Sequence, residues 1–195
     1  VPGYDNLAVS GTSQAVTGLS SNTTYYYRVR GTDGTNVSAN SNTVTAFTAI
    51  AGTVSASAMP DCATCDVVVA TGGTLTVNAN KTYNKVTVKA GGNLTLANGN
   101  TLTAPLTIES NGTNGTGTYV DENTGTGLPA ITGTVQQWLT GKTGTSKRAN
   151  WYLSSPVNGA TANVFDVASL TNKITYYDET VPGYVTQITD NSTTL

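Results

Sequence analysis

The feature that most constrains the fold is an internal repeat in the middle of the chain. Residues 66–77 align with residues 85–96, and a weaker third copy covers 105–109 and resumes near 117–120. Apolar residues recur at positions 67, 86 and 106 and again at 69, 88 and 108, in steps of 19 and 20 residues. Like residues at a fixed period predict ladders, in which each coil of a β-solenoid buries its inward side chains on the next. We therefore predict a short parallel β-helix of about three coils over residues 66–129.

A second interpretation of the same region is a row of tandem β-hairpins. The first two copies each contain a Gly-Gly pair between alternating apolar residues, which is a good signal for a two-residue hairpin turn. Hairpins would not require matched residues in the third copy, so the pattern favours the solenoid. In a solenoid the outward threonines should stack as well, Thr76 on Thr95 and Thr87 on Thr107.

Composition predicts an all-β protein of the extracellular space. Charged residues make up only 10% of the 195-residue chain, and Thr is its commonest residue. Thr is β-branched and suits half-exposed strands, whereas Asn and Gly suit the tight turns between them. The net charge of −2 and the scattered basic residues argue against a nucleic-acid partner. The sequence contains no apolar run long enough to span a membrane.

Two cysteines stand three residues apart, and the chain has no histidine. We expect Cys62 and Cys65 to form a local disulfide within a linker over residues 50–65. Free thiols and a redox or metal site are the alternatives. Because no second cysteine pair or histidine can complete a zinc site, metal chemistry is the weakest of the three.

Residues 1–49 carry an alternating pattern that ends in a run of tyrosines. Leu19, Thr23, Tyr25, Tyr27 and Val29 alternate with polar positions, which predicts a strand with one buried face. Leu, Thr and Tyr entering such a strand form the tyrosine-corner pattern of immunoglobulin-like sandwiches. The segment resembles the C-terminal half of a fibronectin type III domain, and residues 38–48 resemble its last strand.

Residues 130–195 predict an antiparallel β-sandwich whose last strands could lie beyond Leu195. We expect strands over residues 132–139, 148–154, 173–178 and 184–189, and a short helix within 161–170. The order of the parts resembles multidomain adhesin-like surface proteins that bacteria export by type IX secretion. That resemblance implies adhesin-like or accessory modules at the cell surface.

The residues that could perform chemistry are few. Without histidine, the Ser-His-Asp and Cys-His mechanisms and the commonest transition-metal ligand are excluded. Asp121 and Glu122 are adjacent and would point to opposite faces of a strand, so they make a poor catalytic pair. Asp121 and Asn123 are weak candidates for a calcium site. We predict no catalytic residues and no cofactor.

Aromatic pairs are the best candidates for ligand contact. Trp151, Tyr152, Tyr176 and Tyr177 lie in predicted strands, where one ring of each pair would face solvent. The alternative is ordinary cross-strand packing. We therefore predict a structural or adhesive module of a larger surface protein, with an unspecified glycan or protein partner. The alternatives are a carbohydrate-binding accessory domain and, third, a catalytic domain of a polysaccharide-active enzyme.

Overall fold

The computed structural model describes residues 3–124, 132–138, 175–177 and 185–187. The chain divides into two compact units, Val1–Thr140 and Gly141–Leu195. The described residues are almost entirely strand, turn and extended chain, and a 3-10 turn at Ala56–Ala58 is the one helical element among them. The predicted all-β class is confirmed for these ranges.

Two parallel sheets form a β-solenoid of about three turns in the first unit. Strands β3 (Thr53–Ser55), β5 (Thr74–Val77), β7 (Asn93–Leu96) and β12 (Thr118–Asp121) lie side by side in one sheet. The second sheet contains β4 (Cys62–Val69), β6 (Lys81–Val88), β9 (Leu106–Ile108) and β13 (Gly133–Val135), and β8 (Leu102–Thr103) also pairs with β6. All of these pairings are parallel. The tandem-hairpin alternative is therefore wrong, since hairpins would pair neighbouring strands antiparallel.

The register of the sheets follows the repeat. Val86 pairs with Val67 on one side and with Leu106 on the other, and Leu75 pairs with Leu94. The predicted pairing of the threonines is confirmed, because Thr76 lies opposite Thr95, and Thr87 opposite Thr107. Thr87, predicted to face outward, is buried, with 8% exposure. The inward ladders are buried, and six of their residues have 0% exposure: Val69, Leu75, Val77, Val86, Val88 and Leu94.

The Gly-Gly pairs turn the chain from one sheet to the other. Gly72 and Gly91 have φ of +73° and +76°, which glycine adopts without strain. At the next position, a Cβ on Gly92 would lie 2.8 Å from the carbonyl oxygen of Ala70 in the preceding coil. The second glycine thus lets consecutive coils stack at backbone contact. A Gly-Gly pair is typical of hairpin turns, but here it turns the chain from one sheet of the coil to the other, against the backbone of the preceding coil.

The first segment contains one antiparallel pair, β1 (Thr24–Tyr27) with β2 (Val44–Phe47). The Tyr25 hydroxyl accepts a hydrogen bond of 2.9 Å from the backbone N–H of Ser20, five residues upstream. The predicted face is only partly buried, since Tyr25 and Tyr27 are half-buried and Val29 is 72% exposed. Val29 lies beyond the end of β1, where no strand of the described structure covers it.

This antiparallel pair packs on the first two coils of the solenoid, against β4 and β6. The Phe47 ring meets the Tyr83 ring edge-to-face, with centroids 5.8 Å apart. Just beyond, the Ile50 N–H donates to the Val68 carbonyl at 2.8 Å, and the Ile50 side chain is buried. Residues 50–65, predicted as a linker, contain β3 and the beginning of β4. Parallel pairing therefore extends into this stretch.

Two further antiparallel strand pairs are present, one in each unit. β10 (Ser110–Asn111) and β11 (Gly115–Thr116) form a small antiparallel hairpin after β9. The strand predicted at 132–139 is found as β13, in the solenoid sheet instead of a sandwich. In the second unit, β14 (Thr175–Tyr177) pairs antiparallel with β15 (Val185–Gln187), inside two predicted strands. The predicted strand 148–154 and helix 161–170 lie outside the described residues.

Candidate functional site

The aromatic residues chosen from the sequence fall where side chains are not described. Trp151 and Tyr152 lie outside the described residues, and Tyr176 and Tyr177 belong to β14, of which only the backbone is described. Within the described part, the most exposed aromatic side chains are Tyr26, at 61%, and Trp138, at 55%. Trp138 is the more informative of the two because defined contacts hold it.

Trp138 follows β13 and lies against the β10–β11 hairpin. Its backbone N–H donates to the Ser110 Oγ at 3.0 Å. Its indole lies over Gly112 so closely that a Cβ there would be 2.8 Å from the indole Nε1 and 3.1 Å from Cε2. The Gln136 side chain joins the same contact, since its Oε1 accepts from the Ser110 N–H at 3.4 Å. A large aromatic ring is thereby fixed at the surface.

The hairpin beneath the indole is polar and internally bonded. The Asn111 Oδ1 accepts from the N–H groups of Thr113 and Asn114, at 3.0 and 2.7 Å, which closes the turn. The Ser110 Oγ lies 2.8 Å from the Thr116 Oγ1. Residues 110–118 and 132–138 contain no charged side chain. The surroundings of Trp138 therefore offer hydroxyl and amide groups and no net charge.

The nearest charges to the hairpin neutralise one another. Lys89 and Glu109, on successive coils, form an ion pair with a Nζ–Oε1 distance of 2.7 Å. The two side chains are 44% and 30% exposed, so the pair adds at most about 1 kcal/mol of stability. Its relevance is electrostatic: Glu109 precedes the hairpin without giving it an unbalanced negative charge.

The weak calcium candidates are bonded to one another. The Asp121 Oδ1 accepts from both the backbone N–H and the side-chain amide of Asn123, at 3.0 and 2.8 Å. The Asn123 Oδ1 in turn accepts from the Gly99 N–H at 2.8 Å. Burial, and then the Asp121 carboxylate, raise the pKa of the nearby Tyr119 hydroxyl. In the described ranges, no three His, Cys, Asp or Glu residues are grouped as metal ligands.

Cys62 and Cys65 are joined by a disulfide in β4, with their Cα atoms 5.4 Å apart. The pairing of β4 with β6 shifts register between Cys62 and Asp66, so the disulfide spans an irregularity of the strand. Cys65 is buried, and its Sγ lies 3.3 Å from the carbonyl oxygen of Thr45 in β2. A sulfur in a disulfide has no hydrogen to donate, so this is a packing contact at the junction with the β1–β2 pair.

Tyr83 occupies the same junction. Its side chain is 3% exposed, and its hydroxyl has no hydrogen-bond partner within the described residues. Burial, together with the negative charge of Asp61, raises the pKa of Tyr83 to about 12. A neutral phenol packed on Phe47 suits a structural contact better than proton transfer near neutral pH.

Most side chains on the outer face of the β3–β5–β7–β12 sheet are hydroxyl side chains of Thr and Ser. The strand register places Thr53, Thr74, Asn93 and Thr118 in one row and Ser55, Thr76, Thr95 and Val120 in the next. Both rows are free of charged residues and are at least partly exposed. This face is uncharged and hydrated, and it contains none of the paired groups that acid–base or nucleophilic catalysis uses.

Comparison with known proteins leaves the site to be judged by its own geometry. No protein-family model, curated protein or solved structure matches the chain. Within the described ranges, no helix has the length and the apolar character that crossing a membrane requires.

Proposed function

We propose that this chain is a non-catalytic structural and adhesive module of a larger secreted or cell-surface bacterial protein. Its role is to extend from a surface and to present binding faces. The observation that carries the proposal is the construction of the first unit, in which the β1–β2 pair and the solenoid share one core through Phe47, Ile50 and Tyr83.

A core of this kind suits a rigid spacer. The inward ladders supply stability without using the outer faces, which are left to hydroxyl and amide side chains. Low charge also avoids strong nonspecific attraction to anionic polymers. The resemblance of residues 1–49 to a fibronectin type III half, and of the order of modules to type IX-secreted surface proteins, supports the same role. Of the sandwich predicted over 130–195, the part that follows β13 remains in this proposal.

Bead attachment tests the adhesive function. Beads coated with the 195-residue chain should adhere to bacterial cells or to glycan-coated surfaces more than beads coated with an unfolded variant, Val88→Asp. Val88 is fully buried, and a carboxylate in its place would be an uncompensated buried charge. Equal attachment of both bead types would contradict the proposal. Release of new reducing ends from any polysaccharide by the purified chain would contradict its non-catalytic character.

A carbohydrate-binding accessory domain is the second candidate function. The specific observation that favours it is Trp138, an exposed indole held on a polar, uncharged hairpin. A glycan array probed with the whole chain tests it. Binding that is lost in Trp151→Ala or Tyr177→Ala would assign the contact to the aromatic pairs chosen from the sequence. Binding that both variants retain would direct attention to Trp138.

A further inference from the structure

We infer that Trp138 and the β10–β11 hairpin form a subsite for a neutral sugar ring of a glycan. This inference rests on the carbohydrate-binding function proposed above and gives it a location and a ligand class. The first step is the exposure of Trp138. An indole that is 55% exposed leaves a large apolar surface in water, although burial of that surface would be favourable.

Exposure alone is common for single apolar residues, so the fixed position of the ring is the second step. The backbone N–H of Trp138 donates to the Ser110 Oγ, which fixes the backbone at this position. The indole itself lies against Gly112, where a side chain would collide with it. A ring that is already held loses little conformational freedom when a ligand binds. The role of Gly112 here is to leave room for the indole, because it has no side chain.

The third step is the chemistry of the neighbours. The Gln136 Oε1 and the Asn111 Oδ1 accept bonds from the protein itself. Their amide nitrogens make no hydrogen bond with other described residues and are therefore donors for a ligand. Amide donors beside an aromatic surface match a pyranose ring, whose C–H face stacks on an aromatic while its hydroxyls form hydrogen bonds.

The fourth step is charge. Residues 110–118 and 132–138 are uncharged, and the adjacent Lys89–Glu109 pair is neutral as a unit. A uronic acid or a sulfated sugar would lose its hydration without gaining an ionic partner, which is unfavourable. The subsite therefore selects neutral sugars. An open surface with one aromatic platform binds a single ring weakly, so binding gains strength on a polymer that offers many rings.

The experiment measures depletion of the 195-residue chain from solution by insoluble cellulose, chitin, xylan and mannan, with alginate gel as the anionic probe. We expect binding to at least one neutral polymer and none to alginate. Trp138→Ala should weaken the association constant about tenfold, which corresponds to about 1.4 kcal/mol. Trp138→Tyr, which keeps an aromatic ring, should retain binding within about threefold. Tyr26→Ala is the matched control, because it removes an equally exposed aromatic from the β1–β2 pair, and it should bind like the parent chain.

Gly112→Ala separates displacement of the indole from its removal. The added methyl should shift the ring and weaken binding as Trp138→Ala does, with an unchanged far-ultraviolet circular dichroism spectrum. If the parent chain binds none of the neutral polymers, the carbohydrate function itself fails. If the parent binds and both Trp138→Ala and Gly112→Ala bind equally well, only the subsite is wrong. A preference for alginate would overturn the neutral ligand class.

Discussion

The solenoid and the β1–β2 pair are built from the same material, short strands with alternating apolar residues, but they bury it to different extents. The inward residues of the solenoid, such as Leu75 and Val88, have no exposure. In the β1–β2 pair, Tyr26 and Val44 are 61% and 55% exposed. Each solenoid strand has a parallel neighbour that supplies an apolar residue at the same level. The β1–β2 pair, in contrast, has only β4 and β6 beside it. A repeated coil buries its apolar residues on the next coil, whereas a strand with alternating apolar residues needs another element to bury them.

Stability should therefore reside in the solenoid, and the β1–β2 pair should depend on it through the junction. The junction contains Phe47, Tyr83 and the disulfide-bonded Cys65. The following substitutions test that difference, beginning with the one for which we expect the largest effect.

Leu94→Ala removes a completely buried rung from the centre of a ladder. We expect the free energy of unfolding to fall by about 2–5 kcal/mol, because a cavity remains between coils that cannot close around it. Val44→Ala, in the β1–β2 pair, should change it by no more than about 0.5 kcal/mol. Urea unfolding followed by circular dichroism measures both. Similar losses for the two variants would remove the distinction between the regions.

Gly92→Ala tests whether the coils really stack at backbone contact. A Cβ would be 2.8 Å from the Ala70 carbonyl oxygen and 3.1 Å from that of Lys89, and neither backbone can move without opening the ladder. We expect a loss of about 1–3 kcal/mol in the same unfolding measurement. Gly11→Ala is the control, since its nearest neighbour would be 4.0 Å away. A neutral Gly92→Ala would mean that the coils are further apart.

Phe47→Ala tests the dependence of the β1–β2 pair on the solenoid. The edge-to-face contact with Tyr83 and the partial burial of the ring suggest a loss of about 1–2 kcal/mol. Limited proteolysis should show faster cleavage within residues 1–49 and an unchanged rate within 66–121. Equal acceleration in both regions would show that they unfold as one unit.

The Tyr83 hydroxyl gives no effect on stability near neutral pH and a distinctive dependence at alkaline pH. Its pKa is raised from 10.0 to about 12 in the folded protein, so the unfolded state loses the phenolic proton first. The corresponding stability is present below pH 10 and should be lost as the pH rises from 10 to 12. Thermal unfolding of Tyr83→Phe should show a shallower decline over that interval than the parent chain. Parallel declines would place the hydroxyl in water.

The ladders could be predicted because the repeat states which residues stack. Val67, Val86 and Leu106 were assigned to one rung from spacing alone, and the structure pairs them in that register. The fibronectin type III-like arrangement of residues 1–49 stays a prediction, because the described structure contains one strand pair in that segment. The candidate site was missed, since Trp138 lies in a predicted strand where an apolar residue is expected to be buried. The sequence did contain one signal of this site, because residues 110–118 and 132–138 carry no charge.

By itself the sequence determined that the chain is all-β, that coils repeat every 19 or 20 residues, and which residues share a rung. These are properties of period and side-chain type, which local chemistry dictates. Tertiary structure alone decided that β13 joins the solenoid and that Trp138 rests on Gly112. The physical reason is that each depends on what occupies the neighbouring space. Gly112, 26 positions before Trp138, leaves open the space that the indole occupies, and no local pattern around Trp138 states this.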